Sequence, residues 1–108
     1  MVEKFFTPKE ANESLPLVKK IVDEILLNAR QAPGNVERIK FLMNQLEDMG
    51  CFYKDWNFEI GLVDFPAIIH GQQALLCWRS DEPQVEWFHG YEDGYAGRRR
   101  VTRELIFS

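Results

Sequence analysis

Apolar side chains recur at steps of three and four from Ala11 through Leu15, Val18, Val22, Ile25 and Ala29, the spacing of one face of a helix. Leu17, Ile21 and Leu26 widen this stripe and predict a helix covered on more than one side. Thr7-Pro8-Lys9-Glu10 reads as its start. Thr7 can cap, Pro8 suits a first turn that needs no backbone donor, and Glu10 can close a capping box. Pro16 lies inside the pattern; it removes a donor and should kink the helix or reset its start. One helix over 8–30 is expected, broken by Gln31-Ala32-Pro33-Gly34. A second stripe, Ile39, Leu42, Leu46 and Met49 with Met43 beside it, follows a capping Asn35 and stops at Gly50. So short a connection makes the helices antiparallel neighbours, and 8–49 reads as a helical hairpin.

After Gly50 the period changes to two. Residues 51–56, 62–69, 72–79 and 84–89 are strand candidates, which predicts an antiparallel meander over about 51–89, with a loop and C-terminal segment over 90–108. His70-Gly71 suits a two-residue turn that opposes Ile69 to Gln72, and Ser80-Asp81-Glu82-Pro83 makes a turn that opposes Arg79 to Gln84. Opposed residues share a face. One face then carries Val63, Trp78 and Val85, then Phe65, Leu76 and Trp87, then Ala67, Ala74 and His89. It is apolar except for His89 and needs a covering layer, which the helical stripes supply. The other face carries Leu62, Arg79 and Gln84, then Asp64, Cys77 and Glu86, then Pro66, Leu75 and Phe88. It is mixed, with an expected ion pair from Arg79 to Asp64 or Glu86. Leu75 and Phe88 form an apolar patch there that suits a homodimer contact. A bulge at Pro66 would flip everything before it to the opposite face. The expected fold is α+β: one domain, a helical hairpin packed on one face of a three- to four-stranded antiparallel sheet.

The totals change this picture little. At 108 residues, 45% hydrophobic and 28% charged, the chain is a single globular domain with no repeat. The net charge of -4 disfavours nucleic-acid partners. Neither a secretory pattern near MVEKFFTPKE nor a run of membrane-spanning length is present, so a cytoplasmic location is expected. Cys51 and Cys77 belong to no C-x-x-C pair and are expected to be free thiols. A thiol beside Asp64 and Glu86 should hold its proton, which argues against a nucleophilic cysteine.

The chemistry-bearing residues gather between His89 and Arg98. His89 ends an apolar strand and precedes Glu92 and Asp93; such a histidine can act as base or metal ligand, or bond a backbone carbonyl as a strand end does. No H-E-x-x-H or H-x-H spacing is present, and a metal site would also need Asp55 or Asp64, so neither metal nor cofactor is assigned. Gly94-Tyr95-Ala96-Gly97-Arg98-Arg99-Arg100 is not a P-loop, yet its glycines can turn backbone N–H groups inward and its arginines can clamp a small anion. Its plainer reading is a solvated turn whose arginines neutralise Glu92, Asp93 and Glu104. The aromatics Trp56, Phe58, Trp78 and Trp87 are expected in the core, and only Phe88 on an open face, so no base-stacking platform is expected.

Three segments, FTPKEANESLPLVKKIVDEI, GLVDFPAIIHGQQALLCWR and VEWFHGYEDGYAGRR, together resemble the small bacterial proteins grouped as domain-of-unknown-function family 2203. The resemblance spans nearly the whole chain and implies no established activity. It implies that Glu10, Asn12, Asp55, Asp64, Glu82, His89 and Arg98 occupy the family's recurrent polar positions. This chain departs from the family in having Phe88 where a tryptophan is usual and Arg100 where a proline is common. The leading expectation is a small cytoplasmic binding or interaction module, a homodimer, with His89, Gly94, Gly97, Arg98 and Asp64 around a small anionic ligand. The alternative is a metal-assisted hydrolase using His89 with Glu92, Asp93 or Asp64.

Overall fold

The structure, a computed structural model, describes residues 4–31, 35–55 and 57–106. Helix α1 spans Pro8–Ala29 and opens with the expected capping box: the Glu10 N–H donates to the Thr7 hydroxyl at 3.1 Å, and the Thr7 N–H to the Glu10 carboxylate at 3.0 Å. Pro16 neither breaks nor resets it. Its ring is exposed on the helix surface. Helix α2 spans Val36–Met49, capped by Asn35 through the Arg38 N–H and ended by Gly50 at φ 98°, a backbone shape that favours glycine. The breaker Ala32-Pro33-Gly34 and the expected core residue Trp56 lie outside the described residues.

Among the described residues five strands follow, all antiparallel and in chain order: β1 (Phe52–Tyr53), β2 (Leu62–Ile69), β3 (Gln72–Arg79), β4 (Trp87–His89) and β5 (Arg99–Arg100). A last short helix, α3 (Arg103–Ile106), packs against α1. His70 and Gly71 both have positive φ, as a two-residue hairpin turn requires. The β2–β3 ladder then runs unbroken from Leu62↔Arg79 to Ile69↔Gln72, as expected. Pro66 makes no bulge. Its carbonyl accepts the Phe6 N–H at 2.7 Å, so this residue's polar groups face the outer edge of β2, and its missing donor costs no bond to β3.

The β3–β4 pairing departs from expectation. The observed partners are Leu75↔His89, Leu76↔Phe88 and Cys77↔Trp87, one residue out of the register that pairs Arg79 with Gln84. A slip of one residue exchanges the two faces of a strand. His89 and Trp87 therefore lie on the outer face with Asp64 and Cys77, and Phe88 turns inward. The apolar patch of Leu75 and Phe88 does not form.

Asn12 on α1 is the cause. Its side chain accepts the Val85 N–H at 2.6 Å and donates to the Val85 carbonyl at 3.0 Å. Both polar groups of Val85 thus serve the helix instead of the sheet. The Glu82 carboxylate meanwhile takes the Arg79 N–H at 2.7 Å, and the Arg79 carbonyl takes the Glu82 N–H at 2.8 Å. Residues 80–86 become a loop, and β4 starts late.

The core lies between the helices and the inner sheet face. Val63, Phe65, Ala67, Leu76, Trp78 and Val85 are fully or almost fully buried against Val18, Val22, Ile25, Leu42 and Leu46. Each large side chain so buried is worth about 1.5–3 kcal/mol. Leu17, from the expected stripe, is 53% exposed. Gly61 allows the closest approach, since a Cβ there would sit 2.2 Å from a Val22 methyl. Among the described residues no helix is long and apolar enough to cross a membrane.

Asn12→Ala leaves two buried backbone groups without partners and is expected to lower stability by about 2–4 kcal/mol in chemical denaturation. Gly61→Ala overpacks α1 at a cost of about 1–3 kcal/mol. Val22→Ala is then expected to cost less in the Gly61→Ala background than in the native chain, a coupling that a double-mutant cycle reads directly.

Candidate functional site

The shifted register brings together three side chains from three neighbouring strands. Asp64 on β2 stands opposite Cys77 on β3, and His89 ends β4 diagonally across from the thiol. Their donor atoms all lie within 4.8 Å of one another. All three residues are buried, with 5%, 1% and 4% of their surfaces exposed. The Asp64 Oδ1 is 3.3 Å from the His89 Nε2, while the His89 Nδ1 is 2.8 Å from the Gly90 carbonyl. A carbonyl only accepts, so Nδ1 carries a proton and Nε2 faces the carboxylate.

This group forms the floor of a cleft of about 280 Å³ on the outer face of the sheet. Leu62 and Leu75 make its apolar walls, Lys54 stands at its rim, and Tyr91, Gly94 and Tyr95 close its far side. Tyr95 is held from two directions. Its hydroxyl accepts from Arg79 at 2.5 Å, and its ring lies 4.8 Å from the Arg98 guanidinium.

Arg98 itself is engaged inside the protein. One of its terminal nitrogens bridges both Glu82 carboxylate oxygens at 2.7 and 2.6 Å, and its other face meets the Trp87 ring at 4.8 Å. Arg99 lies over Phe88, and Arg100 lies over Trp87 and pairs with Glu86. Arg79 pairs with Asp81 rather than with Asp64 or Glu86. The triple arginine is therefore a set of local braces, not an open clamp.

The remaining expected residues separate in the same way. Gly94 lines the cleft at φ 64°. Gly97 leaves room for Asp93, whose carboxylate closes a turn by accepting the Gly90 N–H at 3.1 Å, and the Gly97 N–H bonds the Gly94 carbonyl. Glu92 is exposed and lies away from the floor. Asp55 accepts the N–H groups of Asn57, Glu59 and Ile60 and organises their turn. Lys54 and Cys77 join the site only in the folded structure. The Asp64–Cys77 pairing was legible from the His70-Gly71 turn, but the misplaced β4 put His89 on the wrong face.

Burial sets the chemistry of the floor. It pushes the Cys77 thiol up to about 12, with the neighbouring Asp64 adding to the effect, so the thiol is not a nucleophile at neutral pH. Burial also holds the Asp64 carboxyl above its usual range, against the pull of His89 and Lys54. A carboxyl, an imidazole and a thiol facing one cleft can relay a proton, bond a polar ligand or coordinate a cation.

The chain belongs to the family described as Uncharacterized conserved protein (DUF2203), which matches residues 28–101. No curated protein and no solved structure matches it.

Burial also pushes the Cys51 thiol up to about 12. In native, chelator-treated protein at pH 8, iodoacetamide is expected to alkylate both cysteines slower than a free thiol by a factor on the order of 10³, and both at the ordinary rate in guanidinium. Mass spectrometry of the two peptides checks this; rapid native labelling of Cys77 would contradict it. Because both thiols ionise more readily in the unfolded chain, their contribution to stability is full below pH 9 and is lost as pH rises toward about 12.

Proposed function

We propose that the chain is a small binding module that takes a small anionic molecule into the cleft above Asp64 and His89. The carrying observation is the charge balance of the cleft lining. The contact between Nε2 and Oδ1 is a hydrogen bond only with a proton between the two atoms, and Nδ1 already holds its own against Gly90. With that proton in place the pair is neutral overall, whichever partner holds it. The Cys77 thiol keeps its proton as well. Lys54 leaves the lining with a net positive charge. Apolar walls with a few convergent polar groups are the usual make-up of a small-ligand site.

In this reading Lys54 meets the anion, His89 and Asp64 give it polar contacts, and Gly94 gives the far wall its positive-φ turn. Arg98 is a positioning residue that fixes Tyr95 through its own pairing with Glu82. The rival reading, metal-assisted hydrolysis, draws on the same floor. There Asp64 is the acid within reach of His89; Asp93 is tied to Gly90 and Glu92 faces solvent.

The test is thermal unfolding of chelator-treated protein with phosphate, citrate and short dicarboxylates. A bound anion at about a hundredfold over its Kd adds about 2.7 kcal/mol, a rise on the order of 10 °C for a domain of this size. The rise is expected to vanish in Lys54→Gln, whose side chain is exposed, and to shrink in His89→Asn. No rise with any of these anions, or equal rises in all three proteins, would remove the cleft as an anion site.

A further inference from the structure

We infer that Asp64, Cys77 and His89 form a binding site for a divalent cation of the zinc type, held by three protein ligands and open to a fourth from the cleft. The inference goes beyond the anion reading and needs no small molecule. It stands first on the donor set. One sulfur, one imidazole nitrogen and one carboxylate oxygen suit a borderline-soft cation, and three protein ligands with a free position mark sites that leave room for water or substrate. Among the described residues, this is the group of three such side chains that converges.

Geometry supports it next. Ligand bonds of about 2.1 Å in a tetrahedron put neighbouring nitrogen and oxygen donors about 3.4 Å apart. The His89 Nε2 and Asp64 Oδ1 are already 3.3 Å apart. No donor in the group is more than 4.8 Å from another, so the sulfur has at most about 1 Å to travel before it completes the triangle. All three side chains project from adjacent strands of one sheet, which holds their spacing without a loop.

An independent feature lies behind the ligands. A metal-bound histidine commonly donates its other ring N–H to a backbone carbonyl, which orients the ring and fixes its tautomer. The 2.8 Å contact from the His89 Nδ1 to the Gly90 carbonyl does this and directs the Nε2 lone pair at the site. Charge agrees too. A carboxylate and a thiolate together cancel a dication, which suits donors almost wholly removed from water. Binding expels two protons, the thiol proton and the one between His89 and Asp64, and leaves the Nδ1 proton in place.

The experiment uses cobalt(II) and zinc alone, added to chelator-treated full-length protein in a buffer without coordinating anions. One cobalt per chain is expected, with a near-ultraviolet thiolate-to-metal band and the visible absorption of a tetrahedral ion; one equivalent of zinc displaces it. Cys77→Ser is expected to lose the thiolate band. His89→Asn and Asp64→Asn are expected to weaken zinc by at least about tenfold, while Glu92→Gln leaves it unchanged. Cys51→Ser keeps the band, so the assignment can be read even where Cys77→Ser fails to fold. A wild-type protein with no thiolate band at stoichiometric cobalt, or a band lost in Cys51→Ser and kept in Cys77→Ser, overturns the site. The anion test runs without metal and this one without anions, so each reading can fail alone.

Discussion

The side chain of Asn12 holding both backbone groups of Val85 is the contact on which the rest of the architecture turns. A backbone N–H and carbonyl removed from water need partners, and each one left without costs about 1–3 kcal/mol. A strand would ordinarily supply them. Here a helix does, at one residue, and the sheet must resume beyond it. The offset is a single position, but the side-chain period of a strand is two. It therefore decides which face receives His89 and which receives Phe88. Without the clamp, the histidine would sit among Ala67 and Ala74, facing the helices, and Asp64 would lose its imidazole partner.

Once the register is set, the polar residues divide into frame and site. Glu10 caps α1, Asn12 clamps Val85, and Asp55 organises a turn. Glu82 takes the Arg79 N–H and both contacts from Arg98. These groups are satisfied within the protein, and their value lies in holding backbone in place. Asp64, Cys77 and His89 differ. Their chemistry converges on one cleft, and the Asp64 carboxyl is destabilised in its charged form by burial. Membership of an uncharacterised family says nothing of activity, so function has to be argued from this convergence.

The arginines show how tertiary packing redirects a chemical signal. Glycines followed by Arg98-Arg99-Arg100 invite a reading as an anion clamp. In the fold each guanidinium lies over an aromatic ring, and Arg98 and Arg100 also meet carboxylates. Arg98 is partly buried, and such cation–ring contacts are worth up to roughly 2 kcal/mol; Arg99 and Arg100 are exposed, where they are worth roughly 0.5–1 kcal/mol. The segment braces the roof of the cleft through Tyr95, while the positive charge at the cleft comes from Lys54, whose ammonium lies 5.9 Å from the Phe52 ring and which its neighbours in sequence do nothing to single out.

Local chemistry was sufficient for the pieces. The steps of three and four, the Thr7–Glu10 box, the stop at Gly50 and the His70-Gly71 turn determined both helices and the β2–β3 register, and hence the facing of Asp64 and Cys77. Those features depend on residues at most a few positions apart, so the sequence carries them openly. The start of β4, the side on which His89 emerges, the partners of Arg98 and the short strand β5 were decided only in the folded molecule. The reason is competition over distance. The Val85 backbone could bond β3 or Asn12, 73 positions away, and no local pattern ranks a strand against a helix that has yet to pack beside it.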